Sequence, residues 1–172
     1  QAMDYGYLTG YYHLFSWIYQ PKEGTFTDEQ AKVAIKNPDG SILKRGHNVW
    51  GAHTLWCPAV LGEALGKLAK LENEAGFSTF FTDCTIAGES LRDCYDPKHP
   101  LTMAQSAAAL RNAVDQINKS GMVPGSERGY WYAANIVGYY EGIETIITYF
   151  SRYQGPTPKE THSGLMQNQR PK

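Results

Sequence analysis

Three cysteines and five histidines are the side chains best suited to covalent or metal chemistry in this sequence. Their spacing restricts what that chemistry can be. Cys57, Cys84 and Cys94 are 27 and 10 residues apart, which matches no zinc or dithiol redox pattern, and no CxxC is present. Cys57 stands just before Pro58, at the start of an expected helix, where the macrodipole favours a thiolate. His47 and His53 precede it, and His99 comes near wherever Cys94 does. This constellation supports a small cysteine-dependent hydrolase or amidase, with Cys57 as nucleophile and His53 or His99 as its base. A metal site built from His47, His53 and Cys57 needs a helical turn across 53–57, which Pro58 opposes. No metal and no cofactor is therefore expected. Glu141 and Glu144 fall at i, i+3 on an expected helix and read as solvated charges. There is no P-loop, dinucleotide fingerprint, HExxH or nucleophile elbow.

The cysteines acquire geometry from the helices that would carry them. Residues 58–75 have Pro58 at the first helical position, Leu61, Leu65 and Leu68 inward, and Gly76 as the stop. Ala59, Gly62, Gly66 and Ala69 form a second stripe of small residues, which predicts close approach by another helix. Residues 78–95 keep helical phase through Phe77, Phe81, Cys84, Gly88, Leu91 and Tyr95. The short loop at 76–77 would fold the two into an antiparallel hairpin. Cys57 and Cys94 then meet at its open end, while Cys84 lies about 15 Å from Cys94 along the axis. A Cys57–Cys94 disulfide with Cys84 as a buried free thiol is predicted; three reduced buried cysteines are the alternative.

The remaining elements follow from periodicity. Residues 4–20 read as a helix with Tyr5, Leu8, Tyr12, Phe15 and Tyr19 in phase. Residues 31–45 read as a β-hairpin around the Asn37-Pro38-Asp39-Gly40 turn. Thr102 caps a helix to Ser120, and Ser126 caps another to about Tyr153. The expected fold is mainly α: a bundle of about five helices with one inserted β-hairpin at residues 31–45. Residues 1–154 make a single helical domain and 155–172 an extended polar tail.

Composition narrows the function class. The chain has 172 residues, 16 Lys+Arg against 17 Asp+Glu, and a formal net charge of -1, so binding to nucleic acid by bulk electrostatics is excluded. The nearest approach to an apolar span, the uncharged stretch 5–21, is too short to cross a membrane. Aromatics reach 13%, with 12 Tyr and 4 Trp. Adjacent aromatics such as Tyr11-Tyr12 and Tyr130-Trp131 point to different sides of a helix, so one small core cannot bury them all. Tyr7, Tyr11, Tyr12, Trp17, Tyr130, Trp131 and Tyr140 are the expected interaction residues. The Gln1 start and the cysteines suit a periplasmic or secreted protein with its signal peptide removed.

Residues 87–94 (AGESLRDC) and 137–146 (VGYYEGIETI) are similar to segments of a small periplasmic helical family, the immunity proteins that neutralise type VI secretion effectors. The chain departs from that family at Asn135, where a second cysteine would fall, and no binding residue carries over. The preferred reading is an exported, non-catalytic interaction protein: an inhibitor, an immunity-type partner or an assembly subunit that binds another protein or itself. The cysteine hydrolase is the alternative.

Overall fold

The computed structural model describes residues 3–21 and 24–141. Its elements run β1 (Gly10–His13), β2 (Trp17–Tyr19), α1 (Asp28–Val33), β3 (Gly46–Asn48), β4 (Gly51–Leu55), α2 (Pro58–Glu74), β5 (Thr79–Thr82), α3 (Met103–Lys119), β6 (Val123–Glu127) and β7 (Tyr139–Glu141). Strands β1, β5, β6 and β7 form one sheet in that order, every neighbouring pair parallel. Strands β2, β4 and β3 form a small antiparallel sheet inserted between β1 and α2. Parallel neighbours need long crossovers, and α2 and α3 supply those from β1 to β5 and from β5 to β6.

Both long helices carry their own boundary signals. Pro58 occupies the first turn of α2, and Gly76 follows its end at φ 93° with its N–H bonded to the Asn73 carbonyl. Thr102 and Gln105 form a reciprocal capping box on α3, and Gly121 at φ 88° follows the helix. The two helices pack on each other where α2 is thinnest. A Cβ on Gly62 would lie 3.5 Å from the Cα of Ala113, and one on Gly66 would lie 3.2 Å from the Cβ of Gln116. The core forms where this helix pair meets the sheet: Leu61, Leu65, Leu110, Val114 and Ile117 surround Phe80 and Ile86. A second cluster of Ile35, Leu55, Cys57 and Cys94 lies beneath the inserted sheet.

The expected bundle is overturned by this α/β arrangement. Residues 4–20 contain β1 and β2 instead of a helix, and residues 78–95 contain β5 and a loop. The expected helix from 126 holds β6, a 3₁₀ turn at Trp131–Ala133 and β7; its continuation beyond 141 lies outside the described residues, as do Glu144 and the tail 155–172. The 31–45 hairpin is replaced in its first arm by the end of α1. Its turn does form: Gly40, at φ 82°, bonds Asn37, and Leu43 N–H bonds the Ile35 carbonyl. Among the described residues no helix is long and apolar enough to cross a membrane.

Candidate functional site

The parallel sheet has two unlike faces because side chains alternate along each strand. Phe80 points into the helical core. Phe81 points the other way, and the register places Tyr12, Phe81, Gly125 and Tyr139 in one row across all four strands. The rings of Tyr12 and Phe81 stack at 5.3 Å, and Phe81 and Tyr139 lie 5.9 Å apart. Gly125 makes this row possible: a Cβ there would sit 2.1 Å from the Tyr139 ring.

Two residues along, at the carboxyl edge, the same face carries acids. Glu127 and Glu141 are register partners. Asp83 follows β5 directly, held by its N–H to the His13 carbonyl (2.8 Å) and by Ser16 Oγ donating to its own carbonyl (3.0 Å). A carboxylate oxygen of Asp83, a carboxylate oxygen of Glu127 and Cys84 Sγ all lie within 4.8 Å of one another. The Tyr12 hydroxyl donates to Asp83 Oδ2. Cys84 Sγ donates to Glu127 Oε2 at 2.9 Å. Cys84 and Arg128 hold left-handed φ of 56° and 60°, so the chain is strained just past the ends of both central strands.

The protonation of the two donors follows from their surroundings. Burial raises the Cys84 pKa, and its bond to Glu127 and the charges of Asp83, Glu127 and Glu89 add to this. Partial desolvation of its hydroxyl also raises that of Tyr12, a residue 62% exposed on this open face, and the bond to Asp83 and the acidic surroundings add to this. Both stay neutral at ordinary pH, as hydrogen-bond donors to carboxylates. The loops above are stitched together by Trp17 Nε1 donating to Glu89 Oε2 at 2.6 Å, with Arg45 at 3.9 Å from the same carboxylate.

Paired carboxylates over an aromatic floor, at the carboxyl ends of parallel strands, suit a polyhydroxylated substrate. The family comparison agrees: residues 1–159 match the family described as glycosyl hydrolases related to GH101 family, GH129. The chain belongs to this glycosyl hydrolase family. Ligand-free alpha-N-acetylgalactosaminidase NagBb from Bifidobacterium bifidum matches with a TM-score of 0.70 and 16% identity, over 91% of this chain and 25% of that one. The GalNAc complex of the same protein matches with a TM-score of 0.69 and 16% identity, over 84% of this chain and 23% of that one. At this identity the likeness is one of fold, and the chain spans about a quarter of those structures. No curated protein matches the sequence.

Membership of GH129 overturns the non-catalytic interaction reading, and with it the likeness to immunity proteins. Residues 87–94 lie in the β5–α3 loop, and β7 occupies 139–141. The cysteine hydrolase finds no support either. Cys57 does cap α2, but its thiol is fully buried, and burial outweighs the helix terminus and pushes it up to about 12. His99 is beside it; His53 instead packs its ring between Trp17 (5.0 Å) and Tyr19 (5.6 Å). His47 is exposed on β3. All three cysteines are free thiols; Cys57 and Cys94 are neighbours, brought together by the start of α2 and the β5–α3 loop rather than by the expected helical hairpin.

Of the expected interaction residues, Tyr12 belongs to the carboxylate site, and Trp17, at the start of β2, bonds Glu89 in the loop above it. Tyr11 packs on Phe77 (4.6 Å), and the Tyr140 hydroxyl donates to the Ala133 carbonyl (3.3 Å). Tyr130 packs on Tyr132 (5.9 Å), and Tyr7 and Trp131 are largely exposed. Asp83 and Glu127 went unread in the sequence. The available signal was a β-rich tetrad, TFFT, followed directly by Asp, and a short strand ending in Glu. A secreted or periplasmic location is compatible with a glycosyl hydrolase family.

Proposed function

We propose that the protein carrying this chain is a retaining glycoside hydrolase that acts on α-linked N-acetylgalactosamine, with Asp83 and Glu127 as its carboxylate pair. The observation that carries this reading is the approach of the two carboxylates to within 4.8 Å on the sheet's open face. Carboxyl groups about 5 Å apart suit double displacement, whereas inverting enzymes need roughly 6.5–9.5 Å to admit water. Asp83, oriented by the Tyr12 hydroxyl, attacks the anomeric carbon and expels the glycosidic oxygen. Glu127, protonated at the start of the cycle, gives that oxygen its proton. Glu127 then takes a proton from the water that releases the sugar from Asp83. Cys84 holds Glu127 in place as a neutral thiol, and the Tyr12–Phe81–Tyr139 row offers flat apolar surface to the sugar ring. The sugar is taken from the name of the similar structures.

The test is steady-state hydrolysis of an aryl α-N-acetylgalactosaminide. Asp83→Asn and Glu127→Gln should each lower kcat by about a thousandfold or more while the fold is kept. Azide should restore turnover in a carboxylate-deleted variant. Unaltered kcat in both variants would overturn the assignment.

A further inference from the structure

Cys57, Cys94 and His99 converge in the second core cluster, outside the carboxylate site, and nothing in the proposed hydrolysis uses them. One donor atom from each lies within 4.8 Å of the others, and all three residues are buried. Cys94 Sγ is 3.6 Å from His99 Nδ1. Zinc–sulfur and zinc–nitrogen bonds of about 2.3 and 2.05 Å at a tetrahedral angle give an edge of about 3.6 Å.

The other ring nitrogen points to the tautomer. His99 Nε2 lies 2.9 Å from the Lys32 carbonyl, which can only accept, so Nε2 bears the proton. Nδ1 then turns its lone pair toward the thiols. The Asp96 carboxylate stands 3.5 Å from the same Nε2–H. A carbonyl and a carboxylate behind the ring are the usual supports of a metal-bound histidine.

The backbone holds this arrangement before any ion arrives. Cys94 and Leu101 exchange two backbone hydrogen bonds of 2.7 and 3.0 Å. Between them Asp96 accepts from Lys98 N (2.8 Å) and is paired with Lys36 Nζ (2.8 Å). Cys57 N–H donates to the Val33 carbonyl at 2.7 Å.

We propose that Cys57, Cys94 and His99 bind a zinc ion that staples the start of α2 to the β5–α3 loop. Two thiolates neutralise the dication, so the ion enters an apolar cluster with no net charge. Binding displaces the thiol protons to solvent as each sulfur becomes a ligand. Water supplies the fourth ligand. The start of α2 and the β5–α3 loop both lie at the edge that bears the carboxylates, since each joins the parallel sheet there, so zinc would fix the rim of that site.

The test is metal analysis of the intact protein, purified under reducing conditions and re-titrated with zinc after chelation. One zinc is expected to bind to this cluster, with protons released as it binds. Cys84→Ser should keep it, whereas Cys94→Ser and His99→Gln should lose it. Cobalt in place of zinc should show thiolate charge-transfer bands in the unsubstituted protein, which decides the matter if the variants fail to fold. A Cys57–Cys94 disulfide in the native protein, or free thiols that take up neither metal, would overturn the proposal. Neither outcome depends on which sugar is hydrolysed, or on whether any is.

Discussion

Tyr12 and Cys84 act on the carboxylates by staying protonated. Each donates to one acid; Cys84 is kept neutral by burial and by the negative charge around it, and Tyr12, on the open face, by partial desolvation, its bond to Asp83 and the same charges. Removing the Tyr12 hydroxyl leaves Asp83 to be oriented by its backbone alone. A hydrogen bond to a charged group is worth about 1.5–3 kcal/mol. Tyr12→Phe should therefore lower kcat/KM about 10- to 100-fold in the aryl glycoside assay, with the melting temperature little changed. Elsewhere Tyr132, 3% exposed, gives a pH signature. Burial, with the adjacent Tyr130, raises its pKa. Below about pH 10 the phenol is neutral in folded and unfolded chains alike. Above that, the unfolded chain loses the proton first and stability falls as pH rises. Urea midpoints measured at about pH 9 and pH 11 should fall less in Tyr132→Phe than in the unsubstituted protein. At this scale the sequence showed which residues were chemically capable, but Cys57 drew attention at a helix start that the fold buries.

The two long helices were legible because their end signals are local. Pro58, Gly76, Thr102 and Gly121 each stand where the backbone needs them. The parallel strands were not. Phe77, Phe81, Cys84, Gly88, Leu91 and Tyr95 satisfy a helical period, yet TFFT is a strand and both Cys84 and Gly88 have positive φ. Strands with apolar groups on both faces lose the alternation that distinguishes them from buried helix. The same holds for Tyr11 and Tyr12 on β1, whose faces meet Phe77 and Phe81. The small stripe on α2 did report a close helix neighbour, and α3 is that neighbour. Gly66→Leu should drive a side chain into Gln116 and cost roughly 1–3 kcal/mol. The check is a urea unfolding curve; an unchanged midpoint would mean that the contact is loose.

Across the described molecule, one sheet face makes the core with α2 and α3, and the other presents aromatics tipped by carboxylates. The surplus of tyrosine was read as a surface for a protein partner. Its location beside Asp83 and Glu127 instead supports a surface for a sugar ring. The pairing of the acids does not follow from local sequence, because β5 and β6 are brought side by side only by the α3 crossover. The central claim is that these two carboxylates work as nucleophile and acid–base at short separation. It is tested most directly by proton NMR of the sugar first released from an aryl α-N-acetylgalactosaminide. Appearance of the α anomer, followed by slow mutarotation, is the expected result. Initial release of the β anomer would contradict it.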